Sequence, residues 1–183
     1  IKTLKPGNFM TFGNGLLKME QWYDFISHVN NVACFDYETA KSHYTTLLKS
    51  SIKLRFRSDV PVGINISGGV DSSTLLAFTN HNQENKNIQA FTFYTGDDRY
   101  DELLWVEQMI KISENELIKV KLSVSEVPTA ALQMAHAQDE PYGGFPTIAY
   151  GKIFNTAREK GVKVLLDGQG MDEQWAGYDY YFQ

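Results

Sequence analysis

The stretch Pro61-Val62-Gly63-Ile64-Asn65-Ile66-Ser67-Gly68-Gly69-Val70-Asp71-Ser72-Ser73 decides the fold class. Its first six residues are short, mostly apolar and β-branched, the pattern of a strand covered on both faces. Ser67 to Val70 break that pattern. Residues 71–79 resume with helical spacing through Leu75, Leu76 and Phe78. A strand that runs through a glycine turn directly into a helix is the opening of a β-α-β unit.

The alternation extends in both directions. Upstream, Tyr37, Ala40, Tyr44, Leu47 and Leu48 follow helical spacing, with Asp36 as N-cap and an end near Ser58, ahead of Pro61. Downstream, the residue pattern predicts strands over 88–94, 117–122 and 162–166. It predicts helices over 101–112, 127–137 and 148–160, the first through Leu104, Trp105, Gln108 and Met109. Strands alternating with helices of this length imply a Rossmann-like parallel sheet with flanking helices and right-handed crossovers. Residues 8–12 and 16–23, joined by Gly13-Asn14-Gly15, read instead as a β-hairpin, and Asn30-Asn31 as a linker. The expected organisation is therefore 1–30 as hairpin and linker and 31–183 as the α/β domain. No internal repeat or low-complexity segment is present.

Composition narrows the function. The 183 residues are 43% hydrophobic and 21% charged, the balance of a soluble globular protein, with a net charge of −5. An acidic chain does not carry the overall basic field that nucleic-acid binding requires. Cys34 is the one cysteine, which rules out an internal disulfide and a cysteine-built metal site and suits a reducing, cytoplasmic setting. No charged-then-apolar leader is visible, and no apolar run approaches the roughly 20 residues that span a bilayer, so no membrane partner is expected. The chain starts at Ile1 and stops just after an aromatic run, Tyr178 to Phe182, so it is expected to be a fragment of a longer protein. His28, His43, His81 and His136 share no metal-ligand spacing and are read as surface or satisfied polar groups.

The chemistry belongs to two loops that follow apolar strands, where ligands of open parallel sheets sit. In Ser67-Gly68-Gly69-Val70-Asp71-Ser72-Ser73, the glycines allow close backbone approach, and serine and N–H donors gather at a helix N-terminus that favours an anion. An ordinary phosphate loop carries a lysine before its Ser/Thr, whereas here Asp71 holds that place. A carboxylate among phosphate donors calls for a bridging Mg²⁺. The plainer alternative is a tight turn with Asp71 as N-cap. In Asp167-Gly168-Gln169-Gly170-Met171-Asp172-Glu173, the glycines again allow close approach and Asp172 supplies a second carboxylate. The plainer alternative is a glycine-rich turn with Asp172 and Glu173 capping a helix. Together the loops suggest one Mg²⁺ shared by two carboxylates across a pyrophosphate.

The first loop resembles the signature of the N-type ATP pyrophosphatases, the PP-loop group with an adenine-nucleotide-alpha-hydrolase-like fold. Nearly the whole chain resembles the synthetase domain of the glutamine-hydrolysing asparagine synthetase family. The residues that carry this are Ser58-Asp59-Val60-Pro61-Val62-Gly63, Tyr100-Asp101-Glu102 and Asp139-Glu140-Pro141, together with Lys163 to Gly170, Asp172-Glu173 and Gly177-Tyr178. The hairpin, with Leu4-Lys5-Pro6-Gly7 and Trp22-Tyr23, is similar to the piece that joins the family's glutaminase domain to its synthetase domain. The resemblance implies that Ser67, Gly68, Gly69, Asp71 and Ser72 hold the pyrophosphate of ATP and that Asp71 and Asp172 bind Mg²⁺. It further implies that Ile66 meets the adenine through its backbone and that Phe93 lies near the base, although plain sheet core reads Phe93 equally well. Asp167 and Gly168 would lie against the nucleotide and acyl-adenylate, with Gln169 and Asp172 at the reacting end. Glu173 matches a family acid, with capping an equal alternative.

The implied reaction is attack of a carboxylate, aspartate by default, on the α-phosphorus of ATP. Pyrophosphate leaves, and ammonia from glutamine, released by a glutaminase domain outside this chain, then amidates the acyl-adenylate. This chain departs from the family pattern at Gln169, where many members have glutamate, and at Asp167, where asparagine synthetases proper often have serine. An amide cannot act as a base, so substrate or mechanism differs in this branch. Two rivals follow: another PP-loop ATP pyrophosphatase, and a non-catalytic adenylate-binding paralogue. A dinucleotide-binding domain would want Gly-x-Gly-x-x-Gly after the first strand, and the loop lacks it. The irregular loop of Gly143, Gly144 and Pro146 is a further candidate border of the carboxylate pocket.

Overall fold

The computed structural model describes residues 2–33, 35–82 and 88–182; Cys34 lies outside them. By its contacts the chain divides into two units, residues 1–44 and 45–183.

In the first unit, β1 (Asn8–Gly13) and β2 (Leu16–Gln21) pair antiparallel from Asn8 opposite Gln21 to Gly13 opposite Leu16. A two-residue turn joins them, and both of its residues, Asn14 (φ 51°) and Gly15 (φ 75°), are left-handed, the conformation a tight hairpin demands. Ahead of the expected Asn30-Asn31 linker stands a short helix, α1 (Phe25–Asn30), because the Asp24 side chain accepts from the Ser27 N–H and caps it. Helix α2 (Tyr37–Arg55), whose residues from Thr45 on belong to the second unit, starts as the sequence predicts: Asp36 accepts from the Thr39 N–H at 3.0 Å and the Thr39 hydroxyl at 2.6 Å.

The second unit is built on β3 (Val62–Asn65), β4 (Ala90–Tyr94), β5 (Leu117–Lys121) and β6 (Val164–Leu166). The sheet is parallel throughout, in the order β5-β4-β3-β6. Between the strands run α3 (Val70–Asn82), α4 (Leu103–Ser113), α5 (Val127–Gln138) and α6 (Phe145–Glu159), and α7 (Met171–Trp175) follows β6. The central strands are the apolar ones. Ile64, Ile66 and Ala90 pack with Ile52 of α2, Leu75 and Leu76 of α3 and Val106 of α4. Phe91 points the other way, into Val120, Val162 and the Ile153 and Ala157 stripe of α6. Ile153 and Ala157 stand one turn apart, so a single helix stripe covers that face. Helix α5 lies against α6. The edge strands β5 and β6 are only partly buried, since only a central strand needs apolar side chains in both directions.

The topology positions the site. From β3 the chain steps outward to β4 and β5, then crosses back to lay β6 on the other side of β3. The strand order therefore reverses between β3 and β6, and their carboxyl ends open a crevice there.

The candidate nucleotide cleft

A cleft of about 330 Å³ lies at that reversal point. Of the residues singled out in sequence, Ser67, Asp71, Ser72, Asp167, Gly168, Gln169 and Asp172 line it together, joined by Gly170, Glu173 and Tyr178. Loops separated by about a hundred residues thus meet, because β6 pairs directly with β3, Ile64 opposite Leu166.

The first loop is fixed from within. The buried Ser72 hydroxyl accepts the Ser67 N–H at 3.1 Å and donates to the Gly69 carbonyl at 3.3 Å. Gly69 in turn donates its N–H to the Ser67 hydroxyl at 3.3 Å. The loop thus keeps its curve without a ligand. Gly68 adopts φ +86°, and a Cβ there would stand 3.0 Å from Trp105 Cβ and 3.2 Å from the Glu102 carbonyl, so only glycine brings the loop this close to α4. Gly168 is needed for space alone: a Cβ would stand 2.8 Å from Ser72 N and 3.0 Å from Asp71 Cβ. The second loop therefore presses on the N-terminus of the 13-residue helix α3, whose unsatisfied N–H groups and dipole favour an anion.

Charge decides what else the cleft takes. Its described lining carries four carboxylates, Asp71, Asp167, Asp172 and Glu173, and no basic side chain. Burial pushes the Asp71 carboxyl above the usual range; the neighbouring Asp172 and Glu173 charges push the same way, and the Asp172 backbone N–H partly offsets them. A cation placed between these carboxylates would relieve that repulsion. The donors are all oxygen, which suits a hard ion such as Mg²⁺. Among the described residues no group of three or more His, Cys, Asp or Glu forms a ready-made cage.

Residues that sequence reasoning passed over complete the floor and rim. Asn65, the last residue of β3 and only 7% exposed, donates its amide to the Asp167 carboxylate at 2.7 Å. A polar residue inside an apolar strand was the available signal. The Tyr178 hydroxyl donates to Glu173 at 2.9 Å. That bond, with the Glu173 and Asp172 charges beside it, pushes the phenol up to about 12. Tyr180 and Phe182 are exposed, and Tyr178 and Tyr180 stack with centroids 5.2 Å apart.

Other candidates lie elsewhere. The Ile66 side chain is buried in the core, and its N–H donates to the Phe91 carbonyl at 2.8 Å. Gly68 and Gly69 shape the loop without lining the cleft. Phe93 is 39% exposed and does not line the cleft, so it is not sheet core. Asp101 serves the exit of β4: its carboxylate accepts from Thr95 N–H and hydroxyl and from Gly96 N–H at 2.7–2.8 Å. Gly143, Gly144 and Pro146 lead into α6 and do not line the cleft; Gly144 (φ +102°) is that helix's N-cap. All four histidines are exposed.

Fold and cleft together define an α/β domain of the doubly covered parallel-sheet class, with a helix N-terminus and a carboxylate pair at the strand-order reversal. The family model for asparagine synthase matches residues 43–183, and the chain belongs to that family. It is 31% identical over 184 residues to a Methanocaldococcus jannaschii protein provisionally named glutamine-hydrolysing asparagine synthetase 1, covering 97% of this chain and 32% of the relative. It is 25% identical over 197 residues to Escherichia coli asparagine synthetase B (glutamine-hydrolysing), covering 99% of this chain and 34% of that one. The chain thus spans about a third of the length of these curated relatives. Among solved structures, the NH3-dependent NAD synthetase of Campylobacter jejuni overlays with a TM-score of 0.47 at 13% identity, covering 79% of this chain and 61% of that one.

Proposed function

We propose that this domain binds ATP with Mg²⁺ in the cleft and activates a carboxylate as an acyl-adenylate, releasing pyrophosphate. Ammonia then attacks the acyl carbon, giving an amide and AMP. Aspartate is the default acid, and the ammonia would come from glutamine through a glutaminase domain outside these residues, in a cytoplasmic protein. The observation that carries this is the convergence of a helix N-terminus and two mutually repelling carboxylates, Asp71 and Asp172, on one crevice. Family membership supports the reaction class.

The residues divide the work by position. The Ser67 to Gly69 backbone and the first turn of α3 would receive the β- and γ-phosphates. Asp71 and Asp172 would hold Mg²⁺, which when bound supplies charge neutralisation for the departing pyrophosphate. Asp167, Gly168 and Gln169 would border the nucleotide and acyl group. No covalent enzyme intermediate is required, and positioning with preorganised charge supplies the rate.

The test is ATP–pyrophosphate exchange by the full-length protein with Mg²⁺ and aspartate. Wild type should exchange, and Asp71→Asn and Asp172→Asn should each lose on the order of 100-fold or more. Normal ATP binding without exchange for any candidate acid sinks the enzyme reading. It would leave the chain as an adenylate-binding paralogue, the alternative that Gln169 favours.

A further inference from the structure

We infer that Tyr178 is a positioning residue that sets cation selectivity. By holding Glu173 it keeps a third carboxylate out of the cation's shell, and so favours Mg²⁺ over a larger ion such as Ca²⁺. The inference rests on the proposed reading of Asp71 and Asp172 as the Mg²⁺ pair, but the contacts behind it are present without ligand. Asp71, Asp172, Glu173 and Tyr178 all line the cleft. Asp172 and Glu173 are consecutive residues of α7, and their side chains differ by one methylene. What separates their roles is the turn that follows.

Ala176 is left-handed at φ 53°, and the Gly177 N–H donates to the Asp172 carbonyl at 2.9 Å. The chain thus turns back on α7, and consecutive residues of the turn meet consecutive acids. A Cβ on Gly177 would overlap Asp172 Oδ1 and stand 2.9 Å from its Cγ, so glycine leaves that carboxylate its room. The Tyr178 hydroxyl meets Glu173 Oε1 at 2.9 Å. A carboxylate only accepts, so the phenol donates. Its ring is held in turn: it stacks on Tyr180 with the planes 11° apart, and Tyr181 stands 6.0 Å away by ring centroids. A glutamate side chain turns about several bonds, and the phenol gives this one a fixed setting.

Ligand number and flexibility are what separate the two ions. Mg²⁺ demands a compact octahedral shell, with few carboxylates and with phosphate and water oxygens completing it. Ca²⁺ takes more oxygens and tolerates irregular or bidentate carboxylates. Asp71, Asp172 and the phosphates of ATP meet the first demand. A released Glu173 would add the mobile carboxylate that suits the second.

The test is calorimetric titration of Mg²⁺ and Ca²⁺ into the full-length protein with α,β-methylene ATP, which cannot release pyrophosphate. Tyr178→Phe keeps the ring and frees Glu173. It should narrow the preference for Mg²⁺ by about 10-fold, the size usual when a group that orients a metal ligand is removed. The double variant with Glu173→Gln should keep the wild-type preference, because the released acid is gone. Gly177→Ala crowds Asp172 instead and should weaken both ions alike. An unchanged preference in Tyr178→Phe, or one equally narrowed in the double variant or in Gly177→Ala, overturns the inference. A ligand-free crystal structure of Tyr178→Phe should show Glu173 displaced, and an unmoved carboxylate overturns it whether or not the protein exchanges pyrophosphate. Absent exchange with this selectivity pattern intact sinks the proposed reaction alone.

Discussion

The cleft depends on single atoms of clearance. At Gly168 the missing Cβ leaves room for Ser72 N and for the carbonyl carbon and Cβ of Asp71, which are backbone and near-backbone atoms that cannot swing aside. Gly168→Ala should therefore push β6's exit loop away from α3. The expected cost is about 1–3 kcal/mol in denaturant unfolding, as for other overpacked sites, with ATP affinity falling in parallel by calorimetric titration. An equal cost with unchanged affinity would mean that the loop contact serves only the fold. Gly168 was legible as a turn glycine, but its actual constraint is space beside a helix 100 residues earlier in the chain, which no local pattern reports. Asn65 was illegible for the same reason: it looks like an ordinary strand residue until its partner Asp167 arrives from the end of β6.

At the scale of elements, α/β alternation was readable because strand and helix periodicities are properties of neighbours in the chain. Predicted and observed bounds differ by a few residues, α1 was missed, and α7 was read only as an alternative for its loop, because each is barely more than one turn. Asp101 shows how an element boundary is secured. Burial works against its carboxylate, but the N–H groups of Thr95, Gly96 and Asp97 and the Thr95 hydroxyl outweigh that and hold it below the ordinary range. A depressed folded value means stability present above the unfolded value, near pH 4, and lost as pH falls below it. Asp101→Asn should cost about 1.5–3 kcal/mol at neutral pH, as for hydrogen bonds to a charged group. That deficit should shrink progressively in unfolding measured as the pH is taken below about 4. A deficit independent of pH would show that shape, not charge, closes the β4 exit.

Over the whole molecule, net charge and site charge have the same sign, −5 overall and four carboxylates in the cleft lining. A nucleotide polyanion alone should therefore bind poorly, and Mg²⁺ and ATP should bind together. In the full-length protein, ATP with Mg²⁺ at about 100 times its dissociation constant should stabilise by about 2.7 kcal/mol, read as a rise in melting temperature. Chelating the metal should abolish the rise, and ATP alone should leave the midpoint unmoved. An equal rise without Mg²⁺ would contradict the carboxylate-pair account.

Periodicity, turn residues and the two glycine loops were settled by the chain's own order, because each depends on residues within a few positions of one another. Which strand lies beside β3 depends instead on how the helices cover both faces of the sheet, a property of the assembled core. That placement of β6 alone sets Asp167 on Asn65 and Gly168 against α3, and so turns two separate loops into one cleft.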